Sequence, residues 1–211
     1  MVEFTSNAGL YFKNDDVSFY VDALYSNPKP PYTKPSKEVI DFLFKTKVDY
    51  IFITHKHSDH YDKEMVNKYI QNNSSTIFVS PSFSKISGAF SLTGIELVIG
   101  NTTISSFETS HIGTNSRNCC YLINDNGIKY LVNGDSDALF KEYEKCPPCD
   151  YLITNPYFVS SNKGISIIRN IIKPQKIYVY HLFEGQQINE IKIENSLNCE
   201  VTFIYDTLKY E

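Results

Sequence analysis

The chain has 211 residues, 42% apolar, 14% aromatic and 21% charged, with a formal net charge of −4. This is a globular composition with ample material for a core, which excludes a disordered chain. The acidic balance argues against a general binder of nucleic acid or of an acidic membrane, and no apolar run approaches the roughly 20 residues of a spanning helix.

The opening residues read as short strands, Val2–Thr5, Leu10–Lys13 and Ser18–Asp22, with Asn14-Asp15-Asp16 as a turn. A Pro-rich stretch (Pro28, Pro30, Pro31, Pro35) reads as an extended loop. Ser36 can cap a helix to about Lys47 that keeps Val39, Ile40, Leu43 and Phe44 on one face. Asp49–Thr54 is a buried type of strand, and Asp62 can cap a second helix to about Asn72. Strands are expected at Thr76–Ser80, Glu96–Ile99 and Thr102–Glu108. A hairpin should follow, from Tyr121 to Asn133, turning at Asn126-Gly127. A helix over Ala138–Lys145 and a strand at Tyr151–Thr154 come next. Then follow a helix over Lys163–Ile172 stopped by Pro174, a strand at Lys176–Tyr180, a helix near Gln187–Glu194 and a last strand at Glu200–Tyr205. Meanders that give way to strand–helix alternation suggest an α/β chain of two mixed sheets with helices outside, in a single domain spanning 1–211.

The five cysteines, Cys119, Cys120, Cys146, Cys149 and Cys199, are an odd number. The start, Met1-Val2-Glu3-Phe4-Thr5, lacks the basic and apolar segments of a secretory signal, so reduced thiols in a cytoplasm are the expectation. Cys146-Pro-Pro-Cys149 has redox or metal-ligand spacing. It closes a helix instead of opening one and has no second pair, so it reads as a turn with two thiols.

The chain holds five histidines, and all fall at the ends of expected strands. Three lie in Thr54-His55-Lys56-His57-Ser58-Asp59-His60, and His111 and His181 each follow a later strand. Asp135 sits just after another. Strand ends of open sheets commonly build sites. Neutral imidazole with carboxylate suits a borderline divalent cation without thiolate help. If the strand continues, His55 and His57 share a face and reach one ion. Asp59 and His60 come after the chain has turned and can face a second. Two ions need about six protein ligands, and seven candidates are present.

Thr54-His55-Lys56-His57-Ser58-Asp59-His60 resembles the central His-x-His-x-Asp-His signature of the metallo-β-lactamase superfamily. Ser6-Asn7-Ala8-Gly9-Leu10 is similar to its early Gly-His-Ala-Ser-type segment, with Asn7 where His is common. Phe19-Tyr20-Val21-Asp22 and Asn133-Gly134-Asp135-Ser136 are similar to its strand ending in Asp and to its Gly-Asp motif. The resemblance implies a four-layer αββα sandwich with the site along one edge. It implies that His55, His57 and His111 hold the first ion, that Asp59, His60 and His181 hold the second, and that Asp135 bridges both. Asp22 would orient a His or the loop. The implied cofactors are two divalent ions, with zinc the first expectation and manganese or iron the alternatives.

The branch it looks most like is the compact one that includes lactonase relatives, although Asn155-Pro156-Tyr157-Phe158 and His181-Leu182-Phe183-Glu184 depart from that branch's loops. The implied activity is hydrolysis of a small ester, lactone, amide or phosphoester by a metal-bound hydroxide, with Asp59 as the catalytic acid–base group. A phosphodiesterase or small nuclease, or a non-catalytic metal-binding protein of the same fold, are the alternatives. The expected partner is a small molecule, with neither membrane nor nucleic acid. Arg117 and Asn118, in an expected polar loop, are candidates for an anionic group. Tyr157 and Phe158 are candidates for a pocket wall, and Glu184 for an approach to the site. Lys56 is expected at the surface.

Overall fold

Alternation of large side chains in the first 21 residues builds a three-stranded meander. In a computed structural model, which describes residues 1–205, these strands are β1 (Val2–Phe4), β2 (Leu10–Lys13) and β3 (Ser18–Val21), paired antiparallel. β4 (Tyr50–Phe52) and β5 (Ile77–Val79) then add in parallel, giving a five-stranded sheet in chain order. The parallel pairs need crossovers. Helices α1 (Lys37–Lys45) and α2 (Lys63–Asn72) supply them. Ser36 Oγ accepts from Val39 N and starts α1; Asp62 accepts from Glu64 N and Met65 N and starts α2. Each cap satisfies amides that the helix leaves open.

The register sets Tyr11 beside Tyr20 and Tyr20 beside Ile51, so these side chains line one face. Val39 and Leu43 of α1 and Met65, Val66 and Tyr69 of α2 pack on that face. Burying each such side chain contributes about 1.5–3 kcal/mol. The buried Tyr69 hydroxyl accepts from Val48 N and donates to Thr46 O. On the opposite face Phe12 stacks on Phe19, and Phe52 meets Phe19 edge to face. These elements belong to the first of two compact units, Met1–Leu92, to which Tyr205 also belongs; the second is Thr93–Ile204.

The second unit repeats the plan. β6 (Leu97–Ile99), β7 (Thr102–Ser110), β8 (Arg117–Asp125) and β9 (Ile128–Val132) form an antiparallel meander. The β8–β9 turn is the expected Asn126-Gly127, both at positive φ, the twist that suits a two-residue hairpin. β10 (Tyr151–Thr154), β11 (Lys176–Val179) and β12 (Glu200–Phe203) follow in parallel. The result is a seven-stranded mixed sheet in reverse chain order. Helices α3 (Phe140–Tyr143), α4 (Pro156–Ser160), α5 (Asn162–Ile167) and α6 (Glu190–Ser196) accompany it. Phe158, Ile167 and Ile193 pack with Leu131, Leu152, Ile177 and Val179 of the strands.

Several elements differ from expectation. β7 and β8 run longer, so Arg117 and Asn118 lie on a strand and not in a loop. The helix expected over Ala138–Lys145 is a single turn, α3, because Cys146-Pro147-Pro148 cannot extend it. α4 was not anticipated. Asn155 caps it through Phe158 N, with Pro156 in its first turn. α5 abuts it so closely that a Cβ on Gly164 would lie 1.8 Å from Phe158 O. A π-helical turn, Ile168–Ile172, prolongs α5. All five cysteines are free thiols. Cys119 and Cys120 lie on β8 as expected, and burial pushes the Cys120 thiol up to about 12. Cys146 and Cys149 are buried in the turn before β10, both donating to Pro147 O. Among the described residues no helix is long and apolar enough to cross a membrane.

Candidate metal centre

In the first unit, β4 ends at Phe52 and its chain runs on to the histidine-rich turn. The strand does not continue through His55 and His57, yet their rings meet edge to face, 4.6 Å apart. His57 O accepts from His60 N and from Tyr61 N, and this turn swings Asp59 and His60 back. The ring of His60 then lies 4.0 Å from that of His55, with Nε2 3.6 Å from Asp59 Oδ2. Asn7 Nδ2 donates to Asp59 O and holds the turn from the β1–β2 connection. Lys56 is exposed, as expected.

Asp22 organises this turn from β3. Its backbone is left-handed (φ 52°), which breaks the strand and aims the carboxylate across to β4. The side chain is 1% exposed. Oδ1 accepts from Thr54 N at 2.8 Å; Oδ2 accepts from Thr54 Oγ1 at 2.6 Å and from His60 Nδ1 at 2.9 Å. The hydroxyl's only proton is thus committed to Asp22, so Thr54 Oγ1 must accept from His55 Nδ1, 2.9 Å away. One buried carboxylate therefore orients two imidazoles, His60 directly and His55 through Thr54. As neutral imidazoles both rings carry their proton on Nδ1 and leave the Nε2 lone pair free for an ion, the arrangement typical of metal-binding histidine.

In the second unit the candidates follow β7, β9 and β11. His111 forms a bridge with Ser136, and Ile112 N donates to Asp135 O, so the β7 and β9 ends are tied together. His111 Nδ1 donates to Ile112 O at 2.7 Å, a carbonyl that can only accept. In the neutral ring this leaves Nε2 as the acceptor nitrogen, 3.5 Å from Asp135 Oδ2. His181, just past β11, adopts φ 61°, and its Nε2 stands 3.3 Å from Asp135 Oδ1. Asp135 thus lies between the two imidazoles, one carboxylate oxygen toward each. His55, His60, Asp59, His111, Asp135 and His181 are all buried, and His57 is partly so.

A lone-pair nitrogen facing a carboxylate oxygen without a proton between them is repulsive, and the repulsion grows in a buried site. A cation between them reverses its sign. Imidazole Nε2 and carboxylate oxygen are also the donors that suit a borderline divalent ion. The residues present therefore fit a metal.

The lesser candidates fall out differently. Arg117 Nη1 makes a 2.8 Å ion pair with Glu142 Oε1 and donates to Ser110 Oγ, so its charge is already matched within the protein. Asn118 is wholly buried beneath the Asp135 loop. Phe158 is core, whereas Tyr157 and Glu184 are exposed. Thr54 and Asn155 are structural participants that motif reading passes over. For Asn155 the sequence does carry a signal, Asn followed by Pro, which is a helix-start signature.

No protein-family model matches the sequence, and no curated protein matches it. The three-dimensional structure does have relatives. Igni18, a metallo hydrolase from the hyperthermophilic archaeon Ignicoccus hospitalis, is 14% identical, covers 100% of this chain and 98% of its own, and superposes with a TM-score of 0.69. The metallo-β-lactamase fold protein YhfI of Bacillus subtilis is 15% identical over 96% of this chain and 90% of its own, with a TM-score of 0.68. An isothiocyanate hydrolase from Delia radicum gut bacteria is 12% identical over 98% and 97%, with a TM-score of 0.67. At these identities the likeness is one of fold. Two mixed sheets of five and seven strands with helices are the α/β sandwich of the metallo-β-lactamase type.

Proposed function

We propose that this protein is a metal-dependent hydrolase and that its whole length acts as one catalytic domain. In this reading the two sets of donors complete one another. His55, His57 and His111 serve one divalent ion, Asp59, His60 and His181 serve a second, and Asp135, with one oxygen toward His111 and the other toward His181, is common to both. The observation that carries the reading is the threefold approach of an imidazole Nε2 to a carboxylate oxygen at 3.3–3.6 Å. The hydrolase names of two structural relatives support the reaction class. Zinc is the ion we expect; manganese and iron accept the same donors.

Bound to such donors, a divalent ion supplies a water of lowered pKa and polarises a carbonyl or phosphoryl oxygen. The chain's own residues do the rest. Asp22 and Thr54 keep His60 and His55 in the tautomer that leaves Nε2 for the ion. Asp59 Oδ2, held at the site by the turn and by Asn7, takes the proton of the attacking water and passes it to the leaving group. The substrate class is a small ester, lactone, amide or phosphoester.

Elemental analysis of gently purified protein tests this, paired with His57→Ala and with a panel of esters, lactones and phosphodiesters. The expected result is about two equivalents of metal per chain, a sharp fall in the variant and turnover of at least one panel class. Asp59→Ala should lower turnover by about 100-fold or more. Protein without metal, or metal-replete protein inert on every class, overturns the reading.

A further inference from the structure

The acid proposed to be common to both ions sits on a four-residue loop, Asn133-Gly134-Asp135-Ser136, at the end of β9. A buried loop must place each backbone carbonyl. Here the Asp135 carbonyl is met by Ile112 N, and the other three are met by two buried asparagine amides, with Ser136 N a second donor to Asn133 O. Asn118 Nδ2 donates to Asn133 O at 2.9 Å; Asn155 Nδ2 donates to Gly134 O at 2.9 Å and to Ser136 O at 3.4 Å. Asn118 does more. Its Oδ1 accepts from the amide of Asp135 itself at 3.1 Å, and its Nδ2 also donates to Thr109 Oγ1 at 3.0 Å. Thr109 lies on β7, two residues before His111, and is the β-sheet partner of Asn118. The Asn118 side chain is 0% exposed. One carboxamide therefore holds the Asp135 loop by a donor and an acceptor at once.

The geometry points to Asn118 as a positioning residue of the metal centre, a bidentate clamp that sets Asp135 between His111 and His181. The inference rests on the metal reading above. Only a carboxamide meets the demand, because the loop offers one carbonyl and one N–H side by side. A carboxylate keeps the acceptor but loses the donor, and it sets a second negative charge against Asn133 O and beside Asp135. A hydrocarbon loses both bonds. Groups that orient metal ligands in this way typically change metal affinity by about 10–100-fold.

The test uses Co(II) as probe, read by its visible absorption and by competition with a chelator, on the full chain freed of metal. Asn118→Asp is the primary variant, and Asn118→Ala is the second should the buried carboxylate prevent folding. Thr109→Val is the control. It removes a buried bond to the same carboxamide but leaves both bonds to the loop intact, so a merely structural role would weaken cobalt binding in it equally. The expected result is a fall of about 10–100-fold in Co(II) affinity with an altered absorption band in the Asn118 variants, and wild-type affinity in Thr109→Val. In the metal-free protein, hydrogen exchange at the Asp135 amide should quicken in Asn118→Ala. Wild-type cobalt affinity in the Asn118 variants overturns the clamp and leaves the metal centre standing. A wild type that takes up no cobalt overturns the metal reading and the clamp with it.

Discussion

Thr54 shows how much of this site depends on a single proton. Its hydroxyl donates to Asp22 and accepts from His55, so it relays one carboxylate to a second imidazole. Thr54→Val keeps the shape and deletes the relay. The His55 N–H is then buried without its acceptor, and a buried donor left unmade costs about 1–3 kcal/mol. Urea unfolding of the metal-free variant should show that loss, whereas an unchanged midpoint would mean that His55 finds another acceptor. The ligand candidates themselves were legible in the sequence, because histidine is rare here and all five fall at strand ends. Of the residues that hold them, Asp22 was legible through the resemblance, whereas the roles of Thr54 and Asn118 were not. Asn118 acts on Thr109 and on the Asp135 loop only because of the β7–β8–β9 register, which brings together positions 9 and 15–17 residues apart. Arg117 was misjudged for the same reason. Its partner, Glu142, is 25 residues away, and no local pattern announces the pair.

At the scale of elements, capping and periodicity carried most of the reading. Ser36 and Asp62 begin their helices where the sequence places them, and Leu10–Lys13 and Tyr151–Thr154 match to the residue. Short helices escaped. α4 has five residues, too few to show a 3.6-residue period, and only its Asn-Pro start marks it. α6 begins later than expected because Asn189, not an earlier residue, supplies the cap to Lys192 N. The join between α4 and α5 explains a glycine inside a helix. Gly164 lets α5 approach so near that an added methyl would overlap Phe158 O. Gly164→Ala should therefore destabilise by about 1–3 kcal/mol despite alanine's better helix propensity. A denaturant midpoint at or above that of the wild type would contradict it.

At the scale of the molecule, the proposal of one catalytic domain has a thermal consequence. Each site filled at about 100 times its dissociation constant stabilises the folded state by about 2.7 kcal/mol. For a chain of this length that raises Tm by about 5–10 °C. Calorimetry of the metal-loaded protein should show one transition, shifted down by a chelator. Two separate transitions in the loaded protein would contradict a single catalytic domain. The sheets themselves have another consequence. In both, each strand pairs with its neighbour in the chain, β1 to β5 in one and β6 to β12 in the other. Growth can thus proceed from one edge outward, each arriving segment docking on a template already laid down and none having to wedge between partners. During synthesis the polypeptide can crystallise onto itself in the order in which it leaves the ribosome, and its longer-range parallel pairings each wait only for the helical segment between two successive strands to close.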